Sequence, residues 1–96
     1  MSTFSVIEKW VEVRSKVLDL GCGNGNILSE LQKTKNVIGL GVEIEEKNIE
    51  ECLLQNINVI EQNIDDGLIN FSNDSFDVVI LSQTIQVLKN PNTALE

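Results

Sequence analysis

The sequence predicts an α/β chain: a parallel sheet with helices packed on its faces. Three observations predict it. Four short runs rich in β-branched residues recur at nearly even spacing along 96 residues. Apolar patterns of helical period fill the stretches between them. A glycine-rich turn, Gly21-Cys22-Gly23-Asn24-Gly25, joins the first run to the first helical stretch. Alternation of this kind implies parallel strands connected by right-handed crossovers.

The elements follow in order. Ile7, Trp10 and Val11 keep helical spacing, so a short helix is expected before the first strand, with Trp10 as a core anchor. Lys16 to Leu20 is the first strand. Ile27, Leu28 and Leu31 put an apolar stripe on a helix from Asn26 to Lys33. Val37 to Glu43 is the second strand. Ile49, Cys52 and Leu53 mark a helix from Glu45 to Gln55, with Glu45 and Glu46 at its positive end. Asn58 to Glu61 is the third strand and Phe76 to Ser82 the fourth. The first and fourth are nearly continuous apolar runs, as strands buried on both faces should be. The connection from Ile64 to Ser75 is irregular: Gly67 and Ser72-Asn73-Asp74-Ser75 form turns, and Ile69 and Phe71 tuck beneath them. Asn90-Pro91 resembles a helix start. One domain over 1–96 is expected, incomplete at its C-terminus and cut after the fourth strand. A fourth strand with no neighbour would leave an apolar edge.

Composition narrows the function. Hydrophobic residues make up 42% and aromatic ones only 4%, so Val, Ile and Leu must fill the core. Fifteen acidic residues against seven basic ones leave a formal charge of -8, which disfavours nucleic acid as a partner. No histidine is present, which removes the commonest general base and metal ligand. Cys22 and Cys52 lack metal-ligand spacing, so no metal site is expected and both read as reduced thiols of a cytosolic protein. Residues 1–10 lack the pattern of a signal peptide, and no apolar stretch reaches membrane-spanning length. A soluble, cytoplasmic protein is the expectation.

The glycine turn carries the chemistry. Alternate glycines let the backbone turn tightly and let a ligand approach the main chain at a helix N-terminus. A dinucleotide fingerprint needs Gly-x-Gly-x-x-Gly, but Asn26 stands where its last glycine would be. Asp19 precedes the turn; its carboxylate opposes a pyrophosphate and favours a cationic amino-acid group. S-adenosylmethionine has such an ammonium, and no phosphate. Glu43 ends the second strand, twenty residues after Gly23, where an acidic side chain accepts hydrogen bonds from ribose hydroxyls. Ile44 is placed to pack on an adenine face.

With these residues the chain resembles the class I methyltransferases, whose fold is a Rossmann-like sheet with flanking helices. Gly39-Leu40-Gly41-Val42-Glu43-Ile44, Asp65-Asp66-Gly67-Leu68 and Leu81-Ser82-Gln83-Thr84-Ile85-Gln86 are similar to the methionine biosynthesis MetW family, the last run most discriminatingly. The resemblance implies that Asp19, Gly21, Cys22 and Gly23 line the methionine end of S-adenosylmethionine, and that Glu43 holds the ribose and Ile44 the adenine. It implies an adenine-amino contact at Asn63, beside Ile64, with Asp65 as the rival position. It also brings Ser82 and Gln83 to cofactor and substrate. A homoserine O-acyltransferase is the implied partner, and two jobs are implied: methyl transfer, or regulation of that partner without catalysis. The acceptor pocket of the fold is built by later strands, so a piece of this length is expected to be inactive alone.

Simpler readings stand beside these. Cys22 without a histidine to activate it reads as a small buried residue. Cys52 reads as core. Asp65 and Asp66, near a glycine, read as turn and helix-start residues rather than as a metal pair or an acid–base pair. Gln83 and Gln86 suit a partner-facing surface as well as a substrate.

Overall fold

The computed structural model describes residues 3–62, 76–81 and 86–89. Helix α1 spans Thr3–Glu8, strand β1 Lys16–Leu20, helix α2 Asn26–Thr34 and strand β2 Ile38–Glu43. Helix α3 spans Glu46–Leu54, followed by strands β3 Val59–Glu61, β4 Val78–Leu81 and β5 Gln86–Lys89. They form one sheet of order β3-β2-β1-β4-β5. Strands β1 to β4 run parallel, with Leu18 of β1 beside Leu40 on one side and Val79 on the other. The fold class and the four parallel strands are those the sequence predicts, each within a few residues.

Alternation along the strands divides the core in two. Val17, Val78 and Ile80 face a cluster built with Ile7, Val11, Leu28, Leu31, Cys52 and Ile57, contributed by all three helical regions. Leu18, Leu20 and Val42 point to the opposite face, with Leu40, Phe76, Val79 and Leu81 around them. Strand β2 carries glycines where the helix face needs room. A Cβ at Gly39 would stand 2.9 Å from Leu28 Cδ2, and one at Gly41 would stand 2.5 Å from Cys22 Sγ. Both glycines therefore let α2 and the turn before it settle directly on the sheet. At the other end of the strands, Asp77 clasps Lys16. Its Oδ2 accepts from the Lys16 N–H at 2.8 Å, while its own N–H donates to the Lys16 carbonyl at 2.9 Å. That pairing sets the register of β1 against β4.

Three expectations need correction. Trp10 is 55% exposed and anchors no core. Helix α1 ends at Glu8, and the Trp10 N–H donates to Ile7 in a tighter turn, which swings residue 10 outward while Ile7 and Val11 go in. Leu53 is exposed as well; the inward side of α3 is marked by Cys52. Finally, β4 is not the last strand. Strand β5 pairs with it antiparallel, Leu81 opposite Gln86 and Val78 opposite Lys89. Val87 packs toward the same cluster as Ile80. Four residues with one inward Val make too short an alternation to read as a strand. The turns and the Asn90-Pro91 helix start expected in 63–75 and 90–96 lie outside the described residues.

Candidate cofactor site

The chain order of the strands reverses between β1 and β4, and in open α/β sheets a ligand lies beyond the carboxyl ends of the strands at such a point. The glycine turn rises from β1 at that point. The N–H groups of Gly21 and Cys22 both donate to the Val42 carbonyl, at 2.9 and 3.1 Å, which pins the turn to the end of β2. Gly21, Gly23 and Gly25 have φ of 70°, 60° and 87°, the left-handed region that side chains with a Cβ resist. Asn24 then starts the helix: its Oδ1 accepts from the Asn26 N–H at 3.1 Å, in place of a side-chain cap at Gly25.

Glu43 organises the turn from below. It is only 6% exposed. Its Oε1 accepts the Gly23 N–H at 2.9 Å, and its Oε2 accepts those of Ile44 and Glu45 at 3.0 and 2.9 Å. One carboxylate thus joins the turn after β1 to the chain entering α3. Ile44, next to it, is 55% exposed and presents an apolar surface. Asp19 is fully buried one residue before Leu20, in register with Gly41 and Ile80. The structure therefore brings Asp19, Gly21, Cys22, Gly23, Glu43 and Ile44 to the same end of the sheet. Asn63, Ile64, Asp65, Ser82 and Gln83 lie outside the described residues.

The last turn of α3 supplies partners that sequence reasoning missed. Gln55 Nε2 donates to the Asn24 carbonyl at 2.7 Å, and Cys52 Sγ donates to the Gly23 carbonyl at 3.3 Å. The two thiols, far apart in sequence, lie 3.8 Å apart, sulfur to sulfur. Burial pushes the Cys22 thiol well above the usual range, helped by the neighbouring Cys52 and by the charges of Asp19 and Glu43. Burial also raises Cys52, partly offset by its hydrogen bond with Cys22. Cys22 is therefore a packed thiol held mostly in its protonated form, in keeping with its lack of a histidine to activate it. The only sequence signal for the thiol contact was that Cys52 fell on a buried helical face. Among the described residues, no group of three or more metal-ligating side chains is assembled, and no helix is long and apolar enough to cross a membrane.

Four parallel strands, with the glycine turn where their order reverses and an acidic residue ending the second strand, define a domain of the class I methyltransferase fold. Solved structures agree. A TehB-like S-adenosylmethionine-dependent methyltransferase from Corynebacterium glutamicum superposes with a TM-score of 0.69 at 21% identity, over 82% of this chain and 42% of that one. A methyltransferase from Thiobacillus denitrificans, solved with S-adenosyl-L-homocysteine, gives 0.67 at 19% identity, over 82% and 35%. The chain belongs to the methionine biosynthesis protein MetW family, whose profile it matches over residues 1–96. A curated relative, the bifunctional methionine biosynthesis protein MetXA/MetW of Rhodopirellula baltica, is 37% identical over 79% of this chain. The chain spans 14% of that relative's length and under half of each solved structure.

Proposed function

We propose that this chain binds S-adenosylmethionine as the cofactor-holding part of a methyltransferase-like protein of methionine biosynthesis. The observation that carries the reading is the Gly21–Gly25 turn at the carboxyl end of β1, with its Gly23 N–H held by Glu43. The residues fit such a ligand. A Cβ at Gly23 would meet nothing within 4 Å, so the main chain there faces open space that a ligand can enter. Glu43 Oε1 takes one hydrogen bond from the described residues, and a carboxylate oxygen accepts two, so a ribose hydroxyl has an acceptor. Ile44 offers its exposed side chain to an adenine face, and Asp19 places a carboxyl group near the end of β1, where an acidic side chain suits an ammonium. Asn63, Ile64, Ser82 and Gln83 complete the proposed set.

When bound, the cofactor supplies an electrophilic methyl group on a sulfonium. The chain's own part is positional: three left-handed glycines shape the cradle, and Glu43 fixes its height above the sheet. Placing reactants in near-attack geometry is a large part of what methyl transfer requires.

A second reading has its own support. The Rhodopirellula relative joins MetXA and MetW in one chain. That favours physical association with a homoserine O-acyltransferase, with this domain reporting cofactor level to its partner without catalysis. Calorimetric titration of S-adenosylmethionine and S-adenosylhomocysteine into the folded chain tests the shared premise. Saturable binding, weakened in Glu43→Ala, is the expected result; a folded chain that binds neither overturns it. Transfer of labelled methyl in the presence of the acyltransferase then separates catalysis from regulation.

A further inference from the structure

Neither reading uses the thiol pair beneath the glycine turn. Cys22 and Cys52 are both buried and unbridged, with sulfurs 3.8 Å apart. Two glycines make the room for them. The Cβ position of Gly41 lies 2.5 Å from Cys22 Sγ, and that of Gly25 lies 3.0 Å from Cys52 Sγ. One thiol belongs to the turn itself, and the other, on α3, donates to the turn's Gly23 carbonyl. Any change in their bonding therefore acts on the turn directly.

We propose that Cys22 and Cys52 are an oxidation site: a small hydroperoxide converts them to a disulfide that ties the glycine turn to α3 and resets it. Residue Cys22 is 6% exposed where Cys52 is fully buried, so an oxidant reaches Cys22 first. The minor fraction of it present as thiolate attacks one peroxide oxygen, the O–O bond breaks, and a sulfenic acid and hydroxide result. The Cys52 sulfur then attacks the sulfenic sulfur, its S–H proton leaves with the departing hydroxyl as water, and the S–S bond forms. In sum two thiols lose two hydrogens and one hydroperoxide is reduced. To reach bonding distance the sulfurs must approach by about 1.8 Å, from 3.8 Å to the ordinary disulfide length. That movement takes Cys52 Sγ from the Gly23 carbonyl and draws Cys22 away from its place over Gly41. Burial favours the protonated form of both thiols, so the bridge forms more slowly than at exposed cysteines.

The consequence for ligand binding rests on the cofactor reading above. The oxidised chain should bind S-adenosylhomocysteine roughly tenfold more weakly, a coupling within the usual range for linked sites. Linkage is reciprocal, so saturating S-adenosylhomocysteine should oppose formation of the disulfide by the same factor.

The test treats the whole chain with hydrogen peroxide and reads three things: intact mass with peptide mapping, amide hydrogen exchange of the turn, and S-adenosylhomocysteine binding before and after. The expected result is a mass lower by two hydrogens, a peptide joining Cys22 to Cys52, and altered exchange at Gly23 and Gly25. Binding should weaken and return on reduction with dithiothreitol. Cys52→Ser, checked for folding by circular dichroism, should gain oxygen at Cys22 instead and form no bridge. Oxygen addition without a bridge in the parent chain overturns the proposal. So does a bridge that leaves turn exchange unchanged. If the reduced chain does not bind the ligand, the cofactor reading falls, while mass and exchange still decide the fate of the thiol pair.

Discussion

Replacing Glu43 by Gln separates an organising role from a ligand-holding one. The amide keeps the shape of the side chain but exchanges one acceptor oxygen for an NH2 donor. Three N–H groups, from Gly23, Ile44 and Glu45, converge on the two carboxylate oxygens at 2.9 to 3.0 Å. With the amide oxygen turned toward Ile44 and Glu45, the new NH2 confronts the Gly23 N–H; turned the other way, it confronts two. The milder orientation loses one charge-assisted bond and removes the charge from two others. Bonds to charged groups contribute about 1.5–3 kcal/mol each, so the expected loss is about 2–4 kcal/mol. In a domain of this size that lowers the melting midpoint on the order of 10–30 °C. Urea unfolding followed by circular dichroism, without any ligand, measures it, with the slope of the transition unchanged. A Glu43→Gln chain within about 0.5 kcal/mol of the parent would refute the reasoning. Glu43 would then be free of structural work and available to a ligand alone.

Other expectations follow from the same geometry. Gly41→Ala puts a methyl group 2.5 Å from Cys22 Sγ, so an overpacking cost of about 1–3 kcal/mol is expected in urea unfolding. Gly23→Ala meets no neighbour but keeps a φ of 60°, so stability should fall by only about 1–2 kcal/mol while titrated S-adenosylhomocysteine affinity falls far more. Leu28→Ala empties the contact over Gly39 and should cost about 2–5 kcal/mol by the same unfolding assay. The thiols give a pH signature. Their raised values mean that the unfolded chain ionises before the folded one does. Their share of stability is therefore whole below the usual thiol range and is lost as pH rises through it. Cys52→Ala should then lose less stability than the parent between about pH 7 and about pH 10, as compared by urea midpoints.

How much of this was legible depended on the range of the interaction. Strands β1 to β4 and helices α2 and α3 announce themselves by local periodicity, and the glycine turn by composition. Asp19 and Glu43 were legible because each sits at a strand end that the pattern already marks. Interactions across the chain were not. Nothing local ties Gln55 to the Asn24 carbonyl or Cys52 to Cys22, because the contacts exist only once α3 lies against the turn. Glu43 was visible as a candidate ligand holder, but the three main-chain N–H groups it serves depend on the turn folding back over β2. Trp10 misled because hydrophobic spacing continued past the residue where α1 actually stops. Strand β5 was missed because an antiparallel edge strand of four residues carries little pattern of its own.

The order of the strands also sets a timetable. Strands β1, β2 and β3 can pair as neighbours in sequence, over crossovers of ordinary length. The other flank of β1 waits for β4, and the Lys16–Asp77 clasp closes a loop spanning 61 residues. Until residues 78–81 have been synthesised, the middle strand of the finished sheet is an open edge, and Leu18 and Leu20 lack Val79 and Leu81 beside them. Contacts of such separation are entropically late to form and slow the search for the native state. A nascent chain of this kind spends its most aggregation-prone interval with its cradle already shaped and its centre still half open.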